Sequence, residues 1–282
     1  MFMNESPMIS IVTPVLNGAR YIAALIDSLQ RQSFPVWEHI VVDGGSSDST
    51  IDCVKSMYAG DTRVTLIERP GLGQYASVIE GLKASRGSIL GWQNADDMYT
   101  PWAFSAIARY HAKTNADWMT GLPGCWDGTG DLRFVRPYGW YPRMLIKNGW
   151  FHANLLGFIQ QESIFFSREA FESLSELDLG DVEGAKLAGD YMLWKRLARN
   201  YRLKVLPTVI SGFRRHENNR SSLGIEDYMS EVRQDGGRFF PGPLSAMFRQ
   251  IFRCLSACYS LQRVETEDRA LNLCVSDESQ RK

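Results

Sequence analysis

The sequence predicts an α/β protein with a mostly parallel central sheet and helices on both faces. Three observations lead there. Apolar runs of strand length recur at residues 9–13, 39–42, 64–67 and 88–92. Segments with helical spacing of apolar residues stand between them. The connections are too short to hold separate domains, so the helices serve as right-handed crossovers between parallel strands whose order in space the pattern leaves open.

Taken in order, residues 9–13 form a buried strand, followed by a helix over about 20–31 with Ile22, Leu25, Ile26 and Leu29 on its inner face. His39 to Val42 forms the second strand, and Ser46 or Ser47 is expected to cap a helix that buries Ile51, Val54 and Tyr58. Val64 to Ile67 forms the third strand; Gly71 and Gly73 open a turn into a helix over about 74–84. Ser88 to Trp92 is the fourth strand, ending at Asn94-Ala95-Asp96-Asp97, and Thr100-Pro101 reads as a helix start with Thr100 as its cap. From about 121 to 160 the pattern loosens into Gly, Pro, Trp and Tyr, with packed surface structure or a recognition loop as the two readings. Ser163 to Phe166 forms another strand, 189–200 a helix with Leu193, Trp194 and Leu197 inward, and Leu203 to Ile210 returns to the sheet or its edge. Residues 244–263 form an amphipathic helix carrying Arg249, Arg253 and Arg263, and the tail beyond 264 is polar.

Composition narrows the function classes. The chain has 282 residues, 44% of them apolar and 22% charged, enough for one α/β domain and an appendage. A net charge of −1 without a basic stripe argues against a nucleic-acid partner. Eight Trp, eleven Tyr and fourteen Phe pack a core or stack on bases and sugar rings. No signal peptide or spanning segment is read, and five widely spaced cysteines point to a reducing compartment; a cytoplasmic location is expected.

The acidic and small residues at the strand ends are the candidates for chemistry, because open α/β sheets bind ligands at that edge. Asp43 before Gly44-Gly45-Ser46 could accept hydrogen bonds from a base or ribose; an Asx-turn is the competing reading. Asp96 and Asp97 are adjacent, so one faces the crevice and the other turns away. An acidic oxygen there suits Mg²⁺ or Mn²⁺ bridging diphosphate oxygens, against a plain turn and helix cap. Asp190 follows Gly189 at a helix start and could take a proton from a hydroxyl or act as a cap, with Glu162 as an alternative acid or base. Arg214, Arg215 and His216 form a basic group able to hold phosphate or to sit in a solvated turn, while His39, His111 and His152 read as structural.

With these motifs in sequence, Val12-Thr13-Pro14-Val15-Leu16-Asn17, Ile40-Val41-Val42-Asp43-Gly44-Gly45-Ser46-Ser47-Asp48-Ser49-Thr50, Gly71-Leu72-Gly73-Gln74-Tyr75 and Gly91-Trp92-Gln93-Asn94-Ala95-Asp96-Asp97, the chain resembles the family-two inverting glycosyltransferases over about residues 8–217. It is most similar to their non-processive bacterial members, which build cell-envelope polysaccharides. The resemblance implies a GT-A fold in which 1–243 is one domain, with a nucleotide-sugar-binding half over about 8–110 and an acceptor-binding half over about 111–243. Residues 244–282 then form a C-terminal helix and tail. It also implies donor contacts at Thr13, Pro14, Asn17, Asp43, Gln74, Asn94, Ala95 and Asp96, a Mn²⁺ or Mg²⁺ ion on Asp96, and Asp190 as catalytic base. The family's Asp-x-Asp reads Asn94-Ala95-Asp96 here, and its Glu-Asp pair reads Gly189-Asp190. The Gln-x-x-Arg-Trp motif of the processive polymerases is absent.

The function expected from this resemblance is transfer of a sugar from a nucleotide-diphospho-sugar to a saccharide or lipid-linked acceptor, with inversion, and with peripheral contact of the 244–263 helix on the cytoplasmic membrane face. The alternatives are a sugar-nucleotide nucleotidyltransferase, for which residues 13–20 lack a glycine-rich basic loop, and an inactive saccharide-binding scaffold.

Overall fold

A computed structural model describes residues 7–136, 139–217, 219 and 224–279, with side chains described as far as 260. The first half alternates β1 (Ile9–Val15), α1 (Ile22–Gln30), β2 (Trp37–Asp43), α2 (Thr50–Met57), β3 (Val64–Glu68), α3 (Gln74–Ala84) and β4 (Ile89–Trp92). Then come β5 (Met98–Tyr99), α4 (Ala103–Thr114), β6 (Trp118–Thr120), β7 (Gly124–Trp126), β8 (Leu132–Val135) and α5 (Arg143–Lys147). A 3-10 turn at Gln161–Ser163 leads into β9 (Ile164–Ser167), α6 (Arg168–Glu172), α7 (Glu176–Glu183) and α8 (Gly189–Leu197). The chain ends with β10 (Lys204–Val205), β11 (Ser211–Arg214), α9 (Ile225–Gln234) and α10 (Gly242–Ser279).

The larger sheet has seven strands in the order β10-β6-β9-β4-β1-β2-β3. β1 pairs in parallel with β2 (Val12 beside Ile40) and with β4 (Ile9 beside Ile89), and β2 pairs in parallel with β3. β9 is the exception: it runs antiparallel between β4 and β6. Alternation along the strands sends side chains to two cores. Ile9, Ile11 and Val41 meet α1 and α4 on one face. Val12, Val42 and Trp92 meet α3 and α8 on the other, where Trp92 stacks on Trp194 with ring centroids 5.3 Å apart. The expected parallel sheet with helices on both faces is therefore present.

Three local expectations change. Ser46 and Ser47 do not cap α2; its first N–H groups are served by Asp48, whose Oδ1 accepts from Thr50 N at 3.1 Å. Thr100 does not cap α4, which starts at Ala103 behind Trp102; its hydroxyl instead donates to Val209 O and Ile210 O. The loose 121–160 stretch contributes two strands to a second sheet, ordered β5-β11-β7-β8, lying beside the Asp96 loop. Among the described residues no helix is long and apolar enough to cross a membrane.

Candidate functional site

Parallel strands deliver their carboxyl ends to one edge, so the loops after β1, β2 and β4 converge there. The first two loops are laced together. Asn17, at a left-handed φ of 53°, donates its N–H to Ser46 Oγ (2.8 Å) and accepts from Ser47 N on its amide oxygen (2.9 Å). Asp43 is buried; its Oδ1 accepts from Gly45 N and Ser46 N (2.9 and 2.8 Å) and its Oδ2 from Ser46 Oγ (2.5 Å). This is the Asx-turn weighed against a ligand role, and Gly45 at φ 100° lets the chain turn so tightly. Pro14 and Thr13 are buried, and the Thr13 hydroxyl is hydrogen-bonded to His39 Nε2 at 2.8 Å. Burial pushes the imidazole of His39 down to about 3, so it is neutral.

Behind the crevice runs a chain of amides. Gln74, at the first turn of α3, donates to Asn94 Oδ1 (3.0 Å), Asn94 donates to Gln161 Oε1 (3.1 Å), and Gln161 donates to Trp92 O (2.7 Å). The last bond fixes Gln161 Oε1 as an acceptor, so position 94 must supply a donor. Asn does this and Asp cannot, which gives a structural reason for the departure at Asn94. Ala95 packs partly buried against the core under α1.

The neighbouring carboxylates do turn apart. Asp97 is buried and accepts from Arg214 N at 2.7 Å; its other oxygen has no partner, and burial, then the charges of Glu162 and Asp96, hold the carboxyl well above its usual range. Asp96 remains partly exposed and meets His216 Nε2 at 2.9 Å. His216 is placed by Tyr21, whose ring stacks on it with centroids 4.5 Å apart, and by Asn219 Oδ1, which accepts the His216 N–H at 2.7 Å. The sequence marked His216 only as part of a basic turn. Its pairing with Asp96 spans 120 residues, and no local signal announces it.

Among the described residues no three His, Cys, Asp or Glu side chains gather into a metal cage. Asp96 and His216 nevertheless fit a divalent cation by donor type, because a carboxylate oxygen and an imidazole nitrogen lie 2.9 Å apart and both suit Mn²⁺. With diphosphate oxygens as remaining donors, such a site needs no third protein ligand.

Asp190 lies at the start of α8, with Oδ1 accepting from Tyr191 N at 2.7 Å. Burial pushes its carboxyl up to about 6, with Glu231 adding to the rise. Glu162 is buried with Oε2 unpartnered, and its carboxyl is pushed up to about 7 by burial and by the charges of Asp190 and Asp96. Glu162 thus lies within electrostatic reach of both Asp96 and Asp190. The loop before Asp190 is held by Glu231, which accepts from Lys186 N, Leu187 N and Ala188 N (2.9–3.2 Å), and the far end of α8 by Arg196 ion pairs to Asp181 and Asp235.

An open α/β sheet whose strand ends carry this acidic crevice defines a GT-A type protein. Residues 10–174 match the family model "Glycosyl transferase family 2", more than half of the chain, and the chain belongs to that family. The uncharacterized glycosyltransferase EpsJ of Bacillus subtilis is 26% identical over 233 residues, covering 80% of this chain and 66% of that protein. An uncharacterized glycosyltransferase of Rickettsia typhi is 35% identical over 96 residues, 34% of this chain and 29% of its own length. The chain therefore spans less than two thirds of these relatives. The fold is similar to that of S. aureus TarS 1-349 in complex with UDP-GlcNAc (TM-score 0.61, 16% identity, 86% of this chain and 71% of that one). It is also similar to mannosyltransferase PcManGT from Pyrobaculum calidifontis in complex with GDP-Man and Mn²⁺ (TM-score 0.59, 18% identity, 87% and 69%).

Proposed function

We propose that this chain transfers a sugar from a nucleotide-diphospho-sugar to a hydroxyl of a saccharide or lipid-linked acceptor, with inversion, in cell-envelope polysaccharide synthesis. What supports this reading is that Asp96, paired with His216, and Asp190 both lie within electrostatic reach of the buried Glu162. The two structural neighbours are in complex with UDP-GlcNAc and with GDP-Man, which supports a nucleotide-sugar donor for this chain.

In this reading the donor's base lies near the Asn17–Asp43 loops, with Pro14, Gln74, Asn94 and Ala95 shaping the floor and Thr13 supporting it from within. Asp96 and His216 would hold Mn²⁺ or Mg²⁺, which when bound offsets charge on the leaving diphosphate. Asp190 holds its Oδ1 on the Tyr191 N–H, so Oδ2 takes the proton of the acceptor hydroxyl. A carboxyl raised to about 6 is a stronger base than an ordinary one and still ionised at neutral pH. The acceptor oxygen forms its bond to the anomeric carbon as the carbon–oxygen bond to the diphosphate breaks on the opposite face. Holding the reactants in line can contribute roughly 7–11 kcal/mol in well-arranged systems.

The enzyme would work in the cytoplasm. Leu244, Met247, Ile251 and Leu255 form an exposed stripe on α10, each 44–49% exposed, which suits peripheral membrane contact. A thermal-shift screen with Mn²⁺ against UDP, GDP, dTDP and CMP and their sugar conjugates tests the reading. Stabilisation by one nucleoside diphosphate and its sugars is expected, about 2.7 kcal/mol at a hundredfold excess over Kd. A folded sample that responds to none of them would refute it.

A further inference from the structure

Beyond the crevice, α9 and the start of α10 enclose a trough that the donor chemistry leaves unused. One part, about 300 Å³, is lined by Arg233, Arg238 and Arg249 and by no carboxylate. Its neighbour, about 400 Å³, shares Arg233 and Asn154 and runs along α9 past Met229 and Ile225, with Glu226 on its rim. Among the described residues none of the three arginines is in an ion pair. The walls are nevertheless fixed: Arg238 donates its N–H to Gly149 O (2.9 Å) and accepts from His152 Nε2 (2.8 Å), and Arg233 stacks over Phe239 at 4.7 Å. Three guanidinium groups left unpaired around one hollow raise a strong local positive potential, and planar guanidinium matches phosphate oxygens bidentately.

The helix that lines the trough also comes within electrostatic reach of Asp190. Tyr228, on the same helix, has its hydroxyl held well above the usual range by burial and then by the charge of Asp190, and it packs edge-on against the half-exposed Phe158, centroids 5.4 Å apart. From Tyr228 to Arg233 the helix rises roughly 8 Å, a span that one or two sugar rings cover.

We propose that this trough binds the phosphate or diphosphate through which a glycan acceptor is carried, with Arg233, Arg238 and Arg249 as its cationic ligands and Phe158 and Tyr228 beneath the sugar. The assignment rests on the transferase reading for its acceptor, but the anion site is testable by itself. Binding of inorganic pyrophosphate and of decyl diphosphate is measured by calorimetry, with Mn²⁺ and a saturating nucleoside diphosphate filling the donor site. The variants are Arg233→Gln/Arg238→Gln/Arg249→Gln and the matching triple Lys substitution. Both probes should bind the wild type, weaken roughly tenfold or more in the Gln variant, and be largely restored by Lys, with nucleotide affinity unchanged. Equal binding by wild type and Gln variant, or no binding by the wild type, overturns the site. A Gln variant that loses only phosphatidylglycerol vesicles and keeps decyl diphosphate overturns it in favour of general membrane charge. Arginine-dependent diphosphate binding in a protein that takes no nucleotide would keep the anion site and defeat the transferase reading instead.

Discussion

The ring of Tyr75 lies directly against the backbone of Gly189, so close that a methyl group at 189 would come within 2.5 Å of Tyr75 Cγ and Cδ1. The Tyr75 hydroxyl donates to Leu187 O at 2.8 Å, fastening α3 to the segment that presents Asp190. This contact ties α3 to the proposed base and accounts for glycine where the family's pattern has glutamate.

Gly189→Ala should therefore displace Tyr75 or Asp190. A loss of about 1–3 kcal/mol in stability is expected from overpacking, together with a fall in turnover. Chemical denaturation of Gly189→Ala, Tyr75→Ala and the double variant checks it. The double variant should be less destabilised than the sum of the two, because removing the ring relieves the clash. Additive losses would show that the contact carries no strain.

Asn94→Asp restores the family's first acidic residue on paper and should not restore its function. The new carboxylate would face Gln161 Oε1, whose own amide is committed to Trp92 O. A destabilisation of about 1–3 kcal/mol follows from an unpaired buried acceptor. Mn²⁺ affinity measured by calorimetry should not improve; a clear gain would mean that position 94 reaches the metal.

Asp96→Ala and His216→Ala should each weaken Mn²⁺-supported nucleotide binding. Removing even an outer partner of a metal ligand commonly costs roughly 10–100-fold, so a direct ligand should cost no less. Calorimetry with and without Mn²⁺ separates the cases: a loss that persists without metal would assign His216 to nucleotide contact alone.

The buried acids set a pH dependence with a defined sign. The folded carboxyls of Glu162 and Asp190 are raised to about 7 and about 6, above their unfolded values. Between about pH 4 and 7 the folded state binds more protons than the unfolded one, so stability falls as pH rises through that window. Glu162→Gln should remove part of this slope and raise Tm at pH 8 by about 2–6 °C. An unchanged melting profile from pH 4 to 8 would remove Glu162 as a strained acid. Asp190→Asn should keep nucleotide binding and abolish turnover, and the wild-type rate should decline as Asp190 protonates near pH 6.

Much of the nucleotide half was legible because its strands and helices are long enough for periodicity to speak; α3 occupies the expected residues 74–84. The second sheet was not, since β5, β7 and β11 have two to four residues each and take their order from pairing with distant strands. The same limit hid the pairing of His216 with Asp96. Thr100 shows a different failure: its local sequence suits a cap, but two carbonyls more than a hundred residues away claim the hydroxyl. At Asp43 the turn offered by the sequence is present, and turn-forming and ligand-binding aspartates share one sequence context.

The antiparallel β9 has a mechanical consequence. By running between β4 and β6 it stitches the segment leading to Asp190 into the sheet whose β4 leads to Asp96. Among the described residues β9 is hydrogen-bonded along both of its edges, so the two sides of the seven-stranded sheet are held as one. The spacing between β4 and β9 is set by the weave of the sheet itself. Diversification of acceptors would then fall to the parts hung on its rim, the β7–β8 hairpin and α9, which can be recut without unpicking the cloth.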